Sequence, residues 1–390
     1  MPRIEIATIA LALAACAEAH VPDDAPMPTP CADTDELDLL IVIDNSGSLG
    51  EEQASLSEAL PRFVQALSTG DRDDDGARDF DPVTSLHVAI VTTDMGVGGH
   101  DVPTCDGGLF GAEAGDDGVM ITRGRTAITG CLPSYPAVFE HHAGGDASSF
   151  AFDVSCVLNA TGGCGFEQPL EAALKALSPA APQPGMIDGY TPPLFHRGTR
   201  GHGDGRNAGF LRENSVLAVL VVTDEEDCST TDPGIFDPSD ARFSSVDLNL
   251  RCFSFPDVPH RVARYAAGED GRAGLLGLRR DPSRVVLGVL AGIPVAATPD
   301  PARPDYDVIL GHPDMQEIVD PSIPTRLRPS CNVPGRGLSF APRRIVETAR
   351  ALEARGAGAM VGSICQESYD GTLDAMVDTL AAALTRPECS

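Results

Sequence analysis

The chain has 390 residues, with 57 acidic against 28 basic side chains and a formal net charge of −29. That imbalance argues against nucleic acid and anionic membrane surfaces as partners. Apolar residues make up 42 % of the sequence, enough for a substantial core in one large or two ordinary domains, and Lys175 is the only lysine.

Residues 1–15 read as a secretory signal: Arg3, an apolar stretch, then small residues, with Glu5 out of place in the charged region. Leu13-Ala14-Ala15-Cys16 resembles the lipobox of bacterial lipoproteins, which would make Cys16 the acylated N-terminus and the lipid anchor the sole link to a membrane. Cleavage near Ala17 and an uncleaved anchor are the alternatives, although the apolar run is short for a bilayer span. Ala17 is no obvious inner-membrane retention signal, so the expected location is the cell envelope, at the outer membrane where the host has one. The following stretch, AEAHVPDDAPMPTP, is small, acidic and proline-rich; residues 16–30 read as a tether. Setting Cys16 aside leaves ten of the 11 cysteines, enough for five disulfides in an oxidising compartment. No CxxC pair occurs, so zinc is the weaker reading.

Leu39 to Ile43 is a continuous apolar run, the pattern of a buried parallel strand, and it leads into Asp44-Asn-Ser46-Gly-Ser48. A turn of that kind at a strand end aims one carboxylate and two hydroxyls into one small space. Such hard oxygen donors suit Mg²⁺ or Ca²⁺. The alternative is that the hydroxyls cap the next helix, expected over Glu51 to Leu67 with Leu56, Leu60, Phe63, Val64 and Leu67 on one side. Pro61 marks a candidate kink in that helix. Next, Asp71-Arg-Asp73-Asp-Asp75-Gly76-Ala-Arg-Asp79 matches the first half of an EF-hand loop, but Pro82 stands where the bidentate glutamate belongs. The expectation is a shortened calcium loop with Asp71, Asp73, Asp75 and Asp79 as ligands, its ion structural; a plain acidic loop is the alternative.

Strands follow at Leu86 to Thr93, Val216 to Thr223, Arg284 to Ile293 and Met360 to Ile364. Helices are expected over Pro169 to Leu177, Pro342 to Arg355 and Leu373 to Leu384. This alternation predicts an α/β fold, a doubly wound, mostly parallel sheet. The extra length falls near 96–165, 180–213, 228–256 and 294–340, rich in Gly, Pro, Asp and Cys. These read as disulfide-tied loops decorating a single domain over 31–390. The stretch 96–165 lacks the apolar runs for a core of its own.

The segments LDLLIVIDNSGSLG (37–50) and VLAVLVVTDEED (216–227), in this order, resemble the metal-bearing strand ends of von Willebrand factor type A domains. The resemblance covers nearly the whole mature chain and implies a metal-ion-dependent adhesion site. Asp44, Ser46 and Ser48 would supply its first loop and Asp224 its second aspartate, holding Mg²⁺ or, in its place, Mn²⁺ or Ca²⁺. The family usually has a threonine just before the helix preceding the second strand. Spacing puts Glu167 there, with Thr161 several residues earlier. A glutamate would bind the ion directly while reducing its pull on an acidic ligand; the alternative is that Glu167 only caps its helix. Asp94 is a possible outer neighbour. Glu225, Glu226 and Asp227 would hold a second cation or form a solvated loop.

The family's role is non-enzymatic: a protein or glycan partner completes the ion's coordination. A disulfide from Cys31 to Cys389, joining the two ends of the domain, is likewise implied by the resemblance; Cys365 to Cys389 is the alternative. No GxSxG elbow, HExxH pair or phosphate-binding glycine loop supports an enzyme. Against the adhesion reading stand an envelope structural protein held by Ca²⁺ and disulfides and, more weakly, a metal-dependent hydrolase.

Overall fold

Residues 34–105, 107–180, 200–267, 274–333 and 338–385 are described by a computed structural model; the expectations placed on Cys16, Cys31 and Cys389 lie outside these residues. The apolar runs become the strands of one sheet. In chain order β1 (Glu36–Ile43) is followed by α1 (Gly50–Thr69), β2 (Ser85–Thr92), β3 (Phe139–His142), α2 (Ala147–Leu158) and α3 (Pro169–Leu177). The chain continues through β4 (Val216–Thr223), the short α4 (Arg251–Ser254), β5 (Val285–Ala291) and α5 (Tyr306–Gly311). A small hairpin of β6 (Cys331–Asn332) and β7 (Leu338–Ser339) precedes α6 (Arg343–Glu353), β8 (Gly358–Ser363) and α7 (Asp370–Leu384).

The six-stranded sheet has the order β3-β2-β1-β4-β5-β8, with only the edge strand β3 antiparallel. Every residue of β4 is buried, as expected for a central strand covered on both faces. Leu39, Ile41 and Ile43 of β1 pack with α1, α2 and α7. Leu40 and Val42 point the other way, to α3 and α6. The result is an α/β fold with helices on both sides. Among the described residues no helix is long and apolar enough to cross a membrane.

Two features differ from the sequence expectation. The stretch 96–165 is not all loop: it contributes β3 to the sheet edge and α2 to the layer beside α1. α2 starts at Asp146, whose carboxylate accepts from the Ser148 and Ser149 amides, both at 3.0 Å. The second difference is Pro61, which does not interrupt α1; the helix runs through it to Gly70, which closes the helix in the left-handed conformation.

Among the described residues four disulfides tie the insertions down: Cys105–Cys164 and Cys131–Cys156 within 96–165, Cys228–Cys252, and Cys331–Cys365. Zinc is thereby displaced as the role of these cysteines. Cys365 is already committed to Cys331, which removes the alternative partner of Cys389. Because α7 follows a strand parallel to β1, it runs back and ends at the amino edge of the sheet, where β1 begins.

Buried charges at that amino edge are paired. Asp38 accepts from Arg212 Nε at 2.7 Å and the Arg212 amide at 2.7 Å, with Arg279 Nη2 at 3.4 Å and the Ser215 hydroxyl also bonded to it. The lone lysine, Lys175, is buried in α3 against Asp117, which His202 approaches at 3.1 Å.

Candidate metal centre

β1 and β4 are neighbours, and β2 lies on the far side of β1, so the connections leave β1 in opposite directions. Such a switch point at the carboxyl edge opens a crevice for ligands. The strand ends there are in register: Ile43 lies opposite Val222 and Thr92. Asp44 and Asp224 therefore leave the sheet side by side.

Backbone and side-chain bonds hold the first loop. The Asp44 carboxylate accepts from the Ser46 amide at 2.8 Å through Oδ1 and from the Thr223 hydroxyl at 2.9 Å through Oδ2. Gln53 Nε2 donates to the Asp44 carbonyl at 2.8 Å and to the Ala160 carbonyl at 2.9 Å. The Ser46 and Ser48 hydroxyls share a bond of 2.9 Å. They do not cap α1, which has no side-chain N-cap bond. Ser48 is exposed while Asp44 is fully buried, so the loop runs from solvent to core within a few residues.

Glu167 reaches the same place from the start of α3. Gln168, the residue flanking that helix, makes no side-chain cap bond, and Glu167 Oε1 is buried without a hydrogen-bond partner. The alternative reading of Glu167, a helix cap, finds no hydrogen bond at Oε1 to support it. The loop is fixed by the Cys228 amide donating to the Glu167 carbonyl at 2.8 Å and the Gln168 amide donating to the Thr93 carbonyl at 2.9 Å. Around it the insertions form a satellite core in which Phe166, Ile235, Phe236 and Phe243 pack with Cys105–Cys164 and Cys228–Cys252.

The centre crowds several buried carboxyl groups together. Burial, then the Asp44 and Glu225 charges, push Asp224 up to about 9. Burial and Asp44 lift Glu225 to about 8. Glu167 is raised well above its usual range by burial and by Asp44, Glu225 and Asp224, and burial raises Asp44 itself. Asp224 Oδ1 and the Thr93 hydroxyl are also buried without partners. Buried acceptors with no donor are rare in folded proteins and call for an ion or water. The donor set, carboxylates and hydroxyls only, fits a hard divalent cation.

Asp44, Ser46, Ser48 and Asp224 thus lie together at the ends of β1 and β4, and Glu167 lies near enough to feel the Asp44 and Asp224 charges, although the oxygens of the three carboxylates do not all come within 4.8 Å of one another. Thr223, bonded to Asp44, and Glu225, whose carboxyl feels the Asp44 charge, lie here as well, and Thr93 follows β2 with its amide on the Ile43 carbonyl at 3.2 Å. Asp94 stands aside: its Oδ1 accepts from the Gly96 amide at 2.9 Å, and burial followed by the Asp116 charge lifts it to about 6. Glu226 and Asp227 turn toward Arg344 and form no part of the site.

A tighter acidic cluster lies at the opposite edge, between α1 and β2. There Asp71, Asp73 and Asp79 place carboxylate oxygens within 4.8 Å of one another, the one such group among the described residues. The loop turns through Asp74 and Gly76 at positive φ, and Asp71 accepts from the Gly76 amide at 2.8 Å. Asp75, expected as a ligand, instead accepts from the Ala77 amide at 2.7 Å and stays outside the trio. Three convergent carboxylates can bind Ca²⁺. Asp71→Ala is expected to abolish the rise in melting temperature that Ca²⁺ gives a variant lacking Asp44; an undiminished rise would assign the trio to an ordinary acidic loop.

Comparison of the chain with protein-family models, with curated proteins and with solved structures finds no match.

Proposed function

We propose that this is a divalent-cation-dependent binding protein of the cell envelope, built like a von Willebrand factor type A domain and held by an acylated Cys16. Asp44, Ser46, Ser48, Glu167 and Asp224 would hold Mg²⁺, with Mn²⁺ or Ca²⁺ as substitutes, and a protein or glycan partner would engage it. The observation that carries this reading is the set of partnerless buried oxygens on Asp224, Glu167 and Thr93, beside hydroxyls that leave α1 uncapped. When bound, the ion supplies a positive centre for a partner's oxygen. The chain's own residues position it: Thr223 and the Ser46 amide orient Asp44, and Gln53 fixes the loop.

A second reading has its own observation. Asp44, Glu167 and Asp224 together exceed the charge of one divalent ion, so the cation would be satisfied internally and the protein would be structural. Chelator separates the two. Immobilised full-length chain should retain envelope components in Mg²⁺, release them in EDTA, and fail to retain them as Asp44→Ala. Retention indifferent to EDTA and to the substitution would favour the structural protein. Mass spectrometry of the native chain tests the remaining proposals, an acylated Cys16 and a Cys31–Cys389 bridge; an unmodified N-terminus at Ala17 or a free thiol at Cys31 would remove them.

A further inference from the structure

A groove of about 690 Å³ opens next to the loop that carries Asp44, and none of the candidate cation ligands lines it. Its lining includes Asn45, next in sequence to Asp44, together with Asp116, Leu109, Arg123 and Arg125. Both carboxylate oxygens of Asp116 are occupied. Oδ1 accepts from the Leu109 amide at 2.7 Å, and Oδ2 from Thr92 Oγ1 at 2.6 Å and Asn45 Nδ2 at 3.4 Å. Arg123 and Arg125 are exposed, and among the described residues neither forms an ion pair; the Arg125 guanidinium reaches the Asn159 carbonyl at 3.5 Å. Leu109, on the same lining, is 61 % exposed.

We propose that this groove seats an acidic peptide segment of the partner, its carboxylates on Arg123 and Arg125. The inference rests on the cation-dependent reading and names the chemistry of its ligand. A chain of net charge −29 repels anions in general, so an acidic ligand needs a local positive site. Glu167 weakens the cation's own pull, which leaves the arginines to supply it, and guanidinium groups match carboxylates in a bidentate way. A peptide fits better than an acidic glycan. None of the lining residues is aromatic, so no ring is offered to a sugar face, whereas exposed Leu109 offers an apolar contact beside the charges.

The test uses the full-length chain in Mg²⁺ with fluorescein-labelled hexa-aspartate, its hexa-asparagine counterpart as a neutral control, and oligogalacturonate as a competing acidic glycan. Anisotropy should rise with hexa-aspartate only. Arg123→Ala/Arg125→Ala should weaken that binding by about tenfold or more, as loss of charge-assisted bonds does, while Mg²⁺ binding by calorimetry stays unchanged. Both arginines are exposed, so matching melting curves would show the fold intact. Absence of binding, equal binding of hexa-asparagine, indifference to the double substitution, or stronger binding of oligogalacturonate would each overturn the proposal. The cation-dependent reading fails separately, by a flat Mg²⁺ titration. Arginine-dependent peptide binding that persists beside a flat titration would uphold the groove alone.

Discussion

Raising the pH of the cation-free protein from about 5 to about 8 lowers its melting temperature, and saturating Mg²⁺ cancels a large part of that loss. The cause is the set of buried carboxyls. Burial and mutual repulsion hold Asp224 at about 9 and Glu225 at about 8 in the folded chain, with Glu167 also well above its usual range. In the unfolded chain the same groups ionise near 4. Between those values the folded state keeps protons that the unfolded state has released. Stability therefore falls as pH rises, by about 1.4 kcal/mol per pH unit for each retained proton, and levels off above the folded values. Carboxyls held low act elsewhere: Asp320, held at about 2 by Ser322 and Arg326, adds stability that is fully present above about pH 4 and is lost as pH falls toward 2. Glu226, raised by burial and Glu317, contributes a falling slope that Mg²⁺ does not touch. A divalent ion replaces the protons at the centre, so it stabilises more at pH 8 than at pH 5 and binds more tightly as pH rises. Melting curves in EDTA and in Mg²⁺ across this range check it. Parallel slopes in the two conditions would remove the ion from the centre.

Asp38→Ala should cost about 3–5 kcal/mol of stability without altering Mg²⁺ affinity, because removing one partner of a buried ion pair leaves the other charge uncompensated. Asp38 is fully buried and serves Arg212, Arg279 and Ser215 at once, tying β1 to the segments before β4 and β5. It stands six residues before Asp44 on an extended strand, roughly 20 Å from the metal centre. Urea denaturation gives the stability and calorimetry the affinity. A loss below about 1 kcal/mol would mean that the network contributes little.

Much of this was legible in the residues, for reasons that differ by element. β4 and α3 fall where the sequence puts them, since VLAVLVVT is apolar throughout and Pro169 starts its helix. β1 begins earlier than expected, at Glu36, because Asp38 breaks the apolar pattern while being buried through its arginine partners. β3 was hidden by its length: FEHH alternates buried and exposed over only four residues. The signal for α2 was present in Asp146-Ala-Ser-Ser, a capping sequence ahead of Phe150, Ala151 and Val154. At the centre, strand ends disclose Asp44, Ser46, Ser48 and Asp224. Thr93 and Thr223 also stand at strand ends in the sequence, but that these ends lie beside Asp44 follows from the register of β1 with β2 and β4, which no single strand encodes. Asp75 fits the loop spacing, yet its own turn claims its carboxylate.

The central claim, a divalent cation held at the carboxyl edge of β1 and β4, is tested most directly by calorimetric titration of Mg²⁺ into EDTA-stripped, dialysed chain and its Asp44→Ala variant. The native chain should bind one ion at this edge. The variant should lose that binding while its circular dichroism stays unchanged, since Asp44 lies past the last strand residue. Its cation-free melting temperature should rise, because one of the mutually repelling carboxyls is gone. Mg²⁺ affinity that survives Asp44→Ala would contradict the assignment.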